Sequence, residues 1–181
     1  MKKEKPQSTG IPLIDIPKGS KIHYKKSDAV KYLESLAFEA KRIKYPSIEP
    51  EYLARPEFTD KTAGGLTKCI ILYIRLQKFQ AERINTTGRP LDNTKTFTDV
   101  TGRMRSIGSI KWIKSTSTNG SADISATIKG RSVKIEVKIL RDKQSEAQKD
   151  YEQSIIQAGG LYYIAQNFAS FLVWYNLNFE R

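Results

Sequence analysis

The order of patterns along the chain predicts an α/β domain preceded by a helical extension. Three observations carry this. Residues 28–44 and 66–82 space their apolar side chains at helical intervals. From Arg83 onward the period changes to short alternating runs separated by Gly, Ser, Thr and Asn. A further helical stretch at 146–158 then lies between the last two strand candidates, 131–140 and 161–165.

Each element has a local signal. In residues 1–26, Pro6, Gly10, Pro12, Pro17 and Gly19 fall among lysines, the composition of a basic, poorly ordered arm. In the first helix Ala29, Leu33, Leu36, Ala37 and Ala40 share a face, Ser27 or Asp28 caps the start, and Pro46 enforces a stop. Residues 46–65 read as a Pro- and Gly-rich connector. The second helix, Leu66 to Glu82, offers Ile70, Tyr73, Ile74 and Leu76 as a broad surface to bury against a sheet. Strands are expected at 83–86, 109–114, 122–128, 131–140 and 161–165. Gly159 and Gly160 suit the end of the 146–158 helix, and Asn167 caps a final helix at 168–177. The expected divisions are an arm at 1–26, a helix and connector at 27–61, and the α/β domain at 62–181.

Composition removes several chemistries. With one His and one Cys in 181 residues, Ser-His-Asp triads, Cys-plus-His zinc sites and HEXXH proteases lack their side chains, and no internal disulfide can form. No run of about 18 apolar residues and no signal-peptide pattern appears, so no membrane partner is expected and the chain reads as cytoplasmic. The formal charge of +12 is concentrated in residues 61–122, which carry 11 basic and 3 acidic side chains. A polyanion is the expected partner, because Lys and Arg that neutralise phosphates release condensed counterions. Within that segment Arg103, Arg105, Lys111 and Lys114 are candidate nucleic-acid contacts, and Trp112, alternating with Lys111, is a candidate for base stacking. The alternative is a merely solvated basic surface.

The most informative run is Gly120 to Leu140, G-S-A-D-I-S-A-T-I-K-G-R-S-V-K-I-E-V-K-I-L, in which two alternating stretches flank Lys129-Gly130. A two-residue loop there pairs Ile128 with Arg131, and counting outward sets Asp123 opposite Glu136. Lys138 shares the Glu136 face, about 6 to 7 Å further along the strand. The same register puts Ile124, Ala126, Val133, Ile135, Val137 and Ile139 together on the other face. Two carboxylates with β-carbons about 5 Å apart repel unless a proton or cation intervenes. A divalent ion such as Mg²⁺ takes one or two carboxylates and fills its remaining positions with water and phosphate oxygens. Asp123 and Glu136 are therefore candidate metal ligands, the Val137 main-chain carbonyl a third, and Lys138 a group to stabilise an oxyanion or orient hydroxide during phosphodiester hydrolysis. The alternative is a solvent-facing charge ladder in which Lys138 pairs with Glu136.

The segments G-S-A-D-I, K-I-E-V-K, Q-S-E-A-Q and G-G-L-Y-Y-I-A resemble the PD-(D/E)XK nuclease superfamily, specifically its VRR-NUC branch common in phage and bacterial genomes. The resemblance covers about residues 66–175, and in core topology the chain is similar also to Holliday-junction resolvases. It implies a restriction-endonuclease-like core: a helix, a three-stranded antiparallel meander, a helix and a further strand. It also implies a Mg²⁺- or Mn²⁺-dependent endodeoxyribonuclease, with Asp123, Glu136 and Lys138 matching the catalytic triplet. Branched or junction DNA is the candidate substrate. Where many relatives carry a Glu in the helix before the first strand, Leu66 to Ala81 contains no acid. Gln148 corresponds to the family's helix Gln, and Ser145-Glu146-Ala147-Gln148 is equally a capping box. Arg83 and Asn85 fall in a run resembling the family's first strand, as phosphate contacts or as part of an ordinary edge strand.

Other conspicuous residues read as structural. His23 receives no role, Cys69 is expected in the core, and Tyr162, Tyr163, Phe171 and Trp174 fall in apolar runs that suit burial. The helix in 27–61 is left either to extend DNA contacts or to pair copies into a homodimer. The rival to an enzyme is a DNA-binding or assembly protein that keeps the fold without turnover.

Overall fold

A computed structural model of the chain describes residues 24–85, 88–115 and 117–180. All but the last three residues of the expected arm, and His23 with them, lie outside the described residues.

Helix α1 spans Asp28–Lys44, with the Ser27 hydroxyl accepting the Val30 N–H at its start. Its bounds are the predicted ones, because both signals are local. A single 3₁₀ turn, Pro50–Tyr52, interrupts the connector. Helix α2 spans Ala63–Leu76 and differs from expectation at both ends. It starts early because Gly64 and Gly65 lie in its first turn. Thr62 caps it through the Gly65 N–H, and a Cβ on Gly65 would meet the Thr59 carbonyl oxygen at 2.2 Å. It stops early because Lys78 turns into the left-handed region at φ 66°. Strand β1, Gln80–Arg83, follows at once. Ala81 is buried in the sheet, so an apolar residue there fitted either period.

The central sheet adds β6 (Ile124–Ile128), β7 (Arg131–Val137) and β8 (Leu161–Ala165), in the order β1-β6-β7-β8. The first three strands run antiparallel and β8 is parallel to β7. Helix α3, Glu146–Gln157, makes the crossover between that parallel pair. Helix α4, Phe168–Phe179, begins at Asn167, whose side chain caps the Ser170 N–H. Four α-helices and one mixed four-stranded sheet thus form the body among the described residues, and none of the helices is long and apolar enough to cross a membrane.

One face of the sheet carries the core. Ile124, Ala126, Ile128, Val133, Ile135 and Val137 are buried against α2 and α4. Tyr73 of α2 meets Phe168, Phe171 and Tyr175 of α4 edge-on, with ring centroids 5.1 to 6.1 Å apart. Val30 and Leu33 bring α1 into the same core. Cys69 is fully buried there, and burial pushes its thiol up to about 11, which leaves it protonated and unreactive at neutral pH. Asp60 joins the connector to α4: its carboxylate accepts the Tyr24 hydroxyl at 2.8 Å and the Phe168 N–H at 3.1 Å. Tyr163 stacks on Trp174 at 4.5 Å, so the aromatic runs of β8 and α4 serve packing.

Between β1 and β6 the chain leaves the body as a ribbon. Residues 86–108 carry no derivable strand pattern, yet β2 (Arg89–Asp92), β3 (Lys95–Thr98), β4 (Met104–Ile107) and β5 (Ile110–Ile113) lie within 88–115. Strand β2 pairs with β5 and β3 with β4, every residue of the four being exposed. The sequence pattern missed three of these strands because alternation marks a strand only where one face is buried. The expected 109–114 strand exists as β5 but belongs to this ribbon, not to the central sheet.

The β6–β7 hairpin has the anticipated register, with Ile128 opposite Arg131 and Ile124 opposite Ile135. Lys129 and Gly130 both have positive φ, 47° and 77°, as a two-residue type I′ loop requires. The Lys129 ammonium donates to the Phe179 carbonyl at the end of α4, holding this costly conformation. Strand β7 ends at Val137, short of the expected residue 140, since Leu140 turns to φ 55° and Asp142 N–H closes a turn on Ile139. Replacing Gly130 by Val, a β-branched residue at positive φ, is expected to cost about 1–3 kcal/mol, seen as a lower urea midpoint at unchanged m-value.

Candidate active site

Asp123 and Glu136 converge as the hairpin register demands. The residue after Asp123 faces the residue before Glu136, and the Val137 N–H donates to Asp123 Oδ2 at 3.0 Å. The Asp123 carbonyl in turn accepts the Ile84 N–H at 2.8 Å, which ties this end of β6 to the continuation of β1. Val137 therefore enters the site through its amide as a holder of Asp123.

Glu136 is only 2 % exposed although it lies on the polar face. Helix α3 covers it. Oε1 of Glu136 accepts from the Gln148 side-chain amide and lies 3.2 Å from Lys138 Nζ, while Oε2 has no hydrogen-bond partner among the described residues. Burial raises the Glu136 carboxyl above its ordinary value, and the negative charge of Asp123 raises it further against the opposing pull of Lys138. For Lys138 burial alone would lower the pKa, but Glu136 and Asp142, the latter 3.4 Å away, reverse this and raise it. The ammonium is thus fully charged at neutral pH. It can stabilise a developing anion and cannot act as a general base.

Gln148 makes the capping-box contacts and also touches Glu136. Its N–H and Oε1 complete the capping box with Ser145, and its Nε2 donates to Glu136. One amide therefore fixes the start of α3 and orients a carboxylate. Gly120 makes that approach possible. It sits at φ 77°, and a Cβ there would lie 2.1 Å from the Ala147 carbonyl oxygen and 2.9 Å from the Gln148 nitrogen. Gly120 opens the G-S-A-D segment, but nothing in a single sequence marks it as the point where α3 touches. Asp142 was likewise not legible, because it lies in an irregular turn.

A cleft of about 650 Å³ opens between the foot of the ribbon and the start of α3, reaching Gln148 but lined by neither Asp123 nor Glu136. Trp112, Lys114, Asn119, Gly120, Ser145 and Gln148 are among its walls. Lys114 and Trp112 thereby share a cleft with Gln148. Asn85 lies at the ribbon's foot, its carbonyl accepting the Ser115 hydroxyl at 3.1 Å. Arg83 goes elsewhere: it faces Ile124 across the strands and lines a groove with Gly64 and Lys68 on the α2 side of the sheet. Lys111 lies on the ribbon, and Arg103 and Arg105 at its outer turn, where Arg105 Nε donates to Asp99 at 2.6 Å. Hydrogen bonds from Thr101 and Arg103, together with Arg105, lower the Asp99 carboxyl to about 2.

The donor set fits a hard divalent cation. Glu136 offers an unpartnered buried oxygen and Asp123 a second carboxylate, within the one or two that Mg²⁺ ordinarily takes from protein. No group of three or more His, Cys, Asp and Glu side chains is placed to hold a metal among the described residues. Glu82, at the end of the stretch without acids, sits opposite Ser125, which in turn faces Lys134, so it lies two strands over from Lys134 on the polar face. No protein-family model matches the chain, and a search of curated proteins finds no match.

Two outcomes follow from this geometry. A carboxyl whose folded-state pKa is raised contributes stability below its unfolded pKa and loses that contribution as pH rises through the folded value. Metal-free protein is therefore expected to lose stability across that interval, with Glu136→Gln flattening the loss in thermal melts at stepped pH. Gly120→Ala is expected to displace the start of α3, lowering the melting temperature and increasing amide exchange at Glu146–Lys149 relative to the sheet.

Proposed function

We propose that the protein is a metal-dependent endodeoxyribonuclease with a restriction-endonuclease-like core of the VRR-NUC type, acting on DNA in the cytoplasm of a bacterial or phage-infected cell. One observation carries the reading: Asp123, Glu136 and Lys138 converge at one end of the β6–β7 hairpin, with a buried carboxylate oxygen left without a partner. The order α2, β1, β6, β7, α3, β8 supports it, since it reproduces the helix, meander, helix and strand that the resemblance implies once the ribbon is set aside as an insertion.

Asp123 and Glu136 would hold Mg²⁺ or Mn²⁺, which supplies an acidified water and withdraws charge from the phosphorane-like transition state. Gln148 keeps Glu136 oriented, and the Val137 N–H keeps Asp123 oriented. Lys138, held charged between Glu136 and Asp142, stabilises the anion that builds on the phosphate. The cleft that reaches Gln148, with Lys114 and Trp112 on its wall, would hold a DNA strand on the side of α3 from which Gln148 contacts Glu136. Branched or junction DNA is the proposed substrate.

A second reading, a DNA-binding or assembly protein without turnover, has one observation in its favour: among the described residues no three His, Cys, Asp or Glu side chains are placed to hold a metal together. Supercoiled, branched and single-stranded DNA incubated with Mg²⁺, Mn²⁺ or EDTA separates the two. Cleavage is expected only with metal, falling about 10²–10³-fold in Lys138→Ala and to background in Asp123→Ala. Equal behaviour in EDTA, or indifference to both substitutions, leaves the binding protein as the answer.

A further inference from the structure

The ribbon is two ladders, β2–β5 and β3–β4, that keep one register across a short break. Asp92 faces Ile110 and Lys95 faces Ile107, so two residues intervene on each strand and the register is the same on either side of the break. The Asn93 N–H bonds the Ser109 carbonyl across that gap, and Gly108 allows the close crossing, since a Cβ there would lie 2.2 Å from the Asn93 oxygen. Side chains alternate within each of the two ladders. In each ladder the odd-numbered residues share a face, which carries Arg89 and Lys111 with Leu91 and Ile113 in β2–β5, and Lys95 and Arg105 with Phe97 and Ile107 in β3–β4. The opposite face, from Pro90 and Trp112 out to Thr98 and Met104, carries no cation.

Such segregation is not needed for folding, since every strand residue of the ribbon is exposed and a mixed arrangement would be equally solvated. Among the described residues no carboxylate lies within ion-pair distance of Arg89, Lys95 or Lys111. From Arg89 to Asp99 the ribbon rises about 33 Å, close to the roughly 34 Å of one B-DNA turn. A two-stranded ribbon also fits the major groove. A second copy of the chain is a poor occupant, because it would set the same cations against each other.

We propose that the odd-numbered face of this ribbon, the one turned away from the Trp112 wall of the cleft, grips duplex DNA along its sugar-phosphate backbone. The proposal rests on DNA being the substrate, and it assigns duplex affinity to Arg89, Lys95 and Lys111 on one face. Arg105 contributes less, being partly engaged with Asp99, and Lys114 acts at the cleft.

The test is binding of the full-length chain to a labelled 30-base-pair duplex in EDTA across a salt series. The triple variant Arg89→Gln, Lys95→Gln, Lys111→Gln is compared with Thr96→Gln, Ser106→Gln on the opposite face. The triple variant is expected to bind about tenfold or more weakly, its log K against log salt slope shallower by roughly 2 to 3, near 0.9 for each phosphate it no longer neutralises. The opposite-face variant should match the parent chain. Equal slopes for all three proteins overturn the proposal, as does a change in oligomeric state, by sedimentation, without a change in slope. The two readings fail separately. A parent chain that never cleaves yet shows this one-sided salt dependence removes the nuclease and keeps the grip; cleavage with unchanged slopes does the reverse.

Discussion

The structure depends on the register of the β6–β7 hairpin, which a loop of two residues holds in place. Because side chains alternate along a strand, a slip by one position would turn Ile124, Val133 and Ile135 out of the core and drive Asp123 and Glu136 into it. The core and the carboxylate pair therefore enforce the same pairing from opposite faces. Lys129 is held in its unfavourable conformation by the end of α4, so the loop is also bound into the packing it directs. Stability and candidate chemistry share one constraint.

Helix α3 gives the pair its character. An exposed acid beside an exposed lysine on a sheet contributes little and repels little, since water screens both. Gln148 and the helix that carries it remove that water from Glu136, which raises the cost of the second negative charge and leaves one oxygen unpartnered. A buried acid beside a second carboxylate is costly until a proton or cation relieves it, which is the property the proposed metal-dependent hydrolysis would use. The contact between Gly120 and the first turn of α3 ties the Asp123 segment to the Gln148 segment, so the two halves of the site are positioned together.

Much of the body was readable in advance because its signals are local or periodic. The caps of α1, α3 and α4, the Lys129-Gly130 loop and the alternation of β6 and β7 are each contained within about a dozen residues. The overrun of α2 into β1 shows the limit: an apolar residue at 81 satisfies both periods, and only the left-handed turn at Lys78 separates helix from strand. Three of the ribbon's four strands were invisible for the complementary reason, as neither of its faces is buried. Arg83 shows a third limit, since which face of β1 turns toward α2 depends on its pairing with β6.

The sequence by itself determined the pairing of Asp123 with Glu136, the common face of Glu136 and Lys138, and the opposed apolar face, because a two-residue loop and a period of two leave no freedom in the count. Tertiary structure alone decided that Glu136 is buried, that Gln148 reaches it while capping its own helix, that Asp142 shares Lys138, and that the basic middle of the chain is drawn out as a ribbon with its cations on one side. These depend on how separate elements approach one another. Such distances are set by packing and by the space a glycine leaves open, and no local pattern in the chain encodes them.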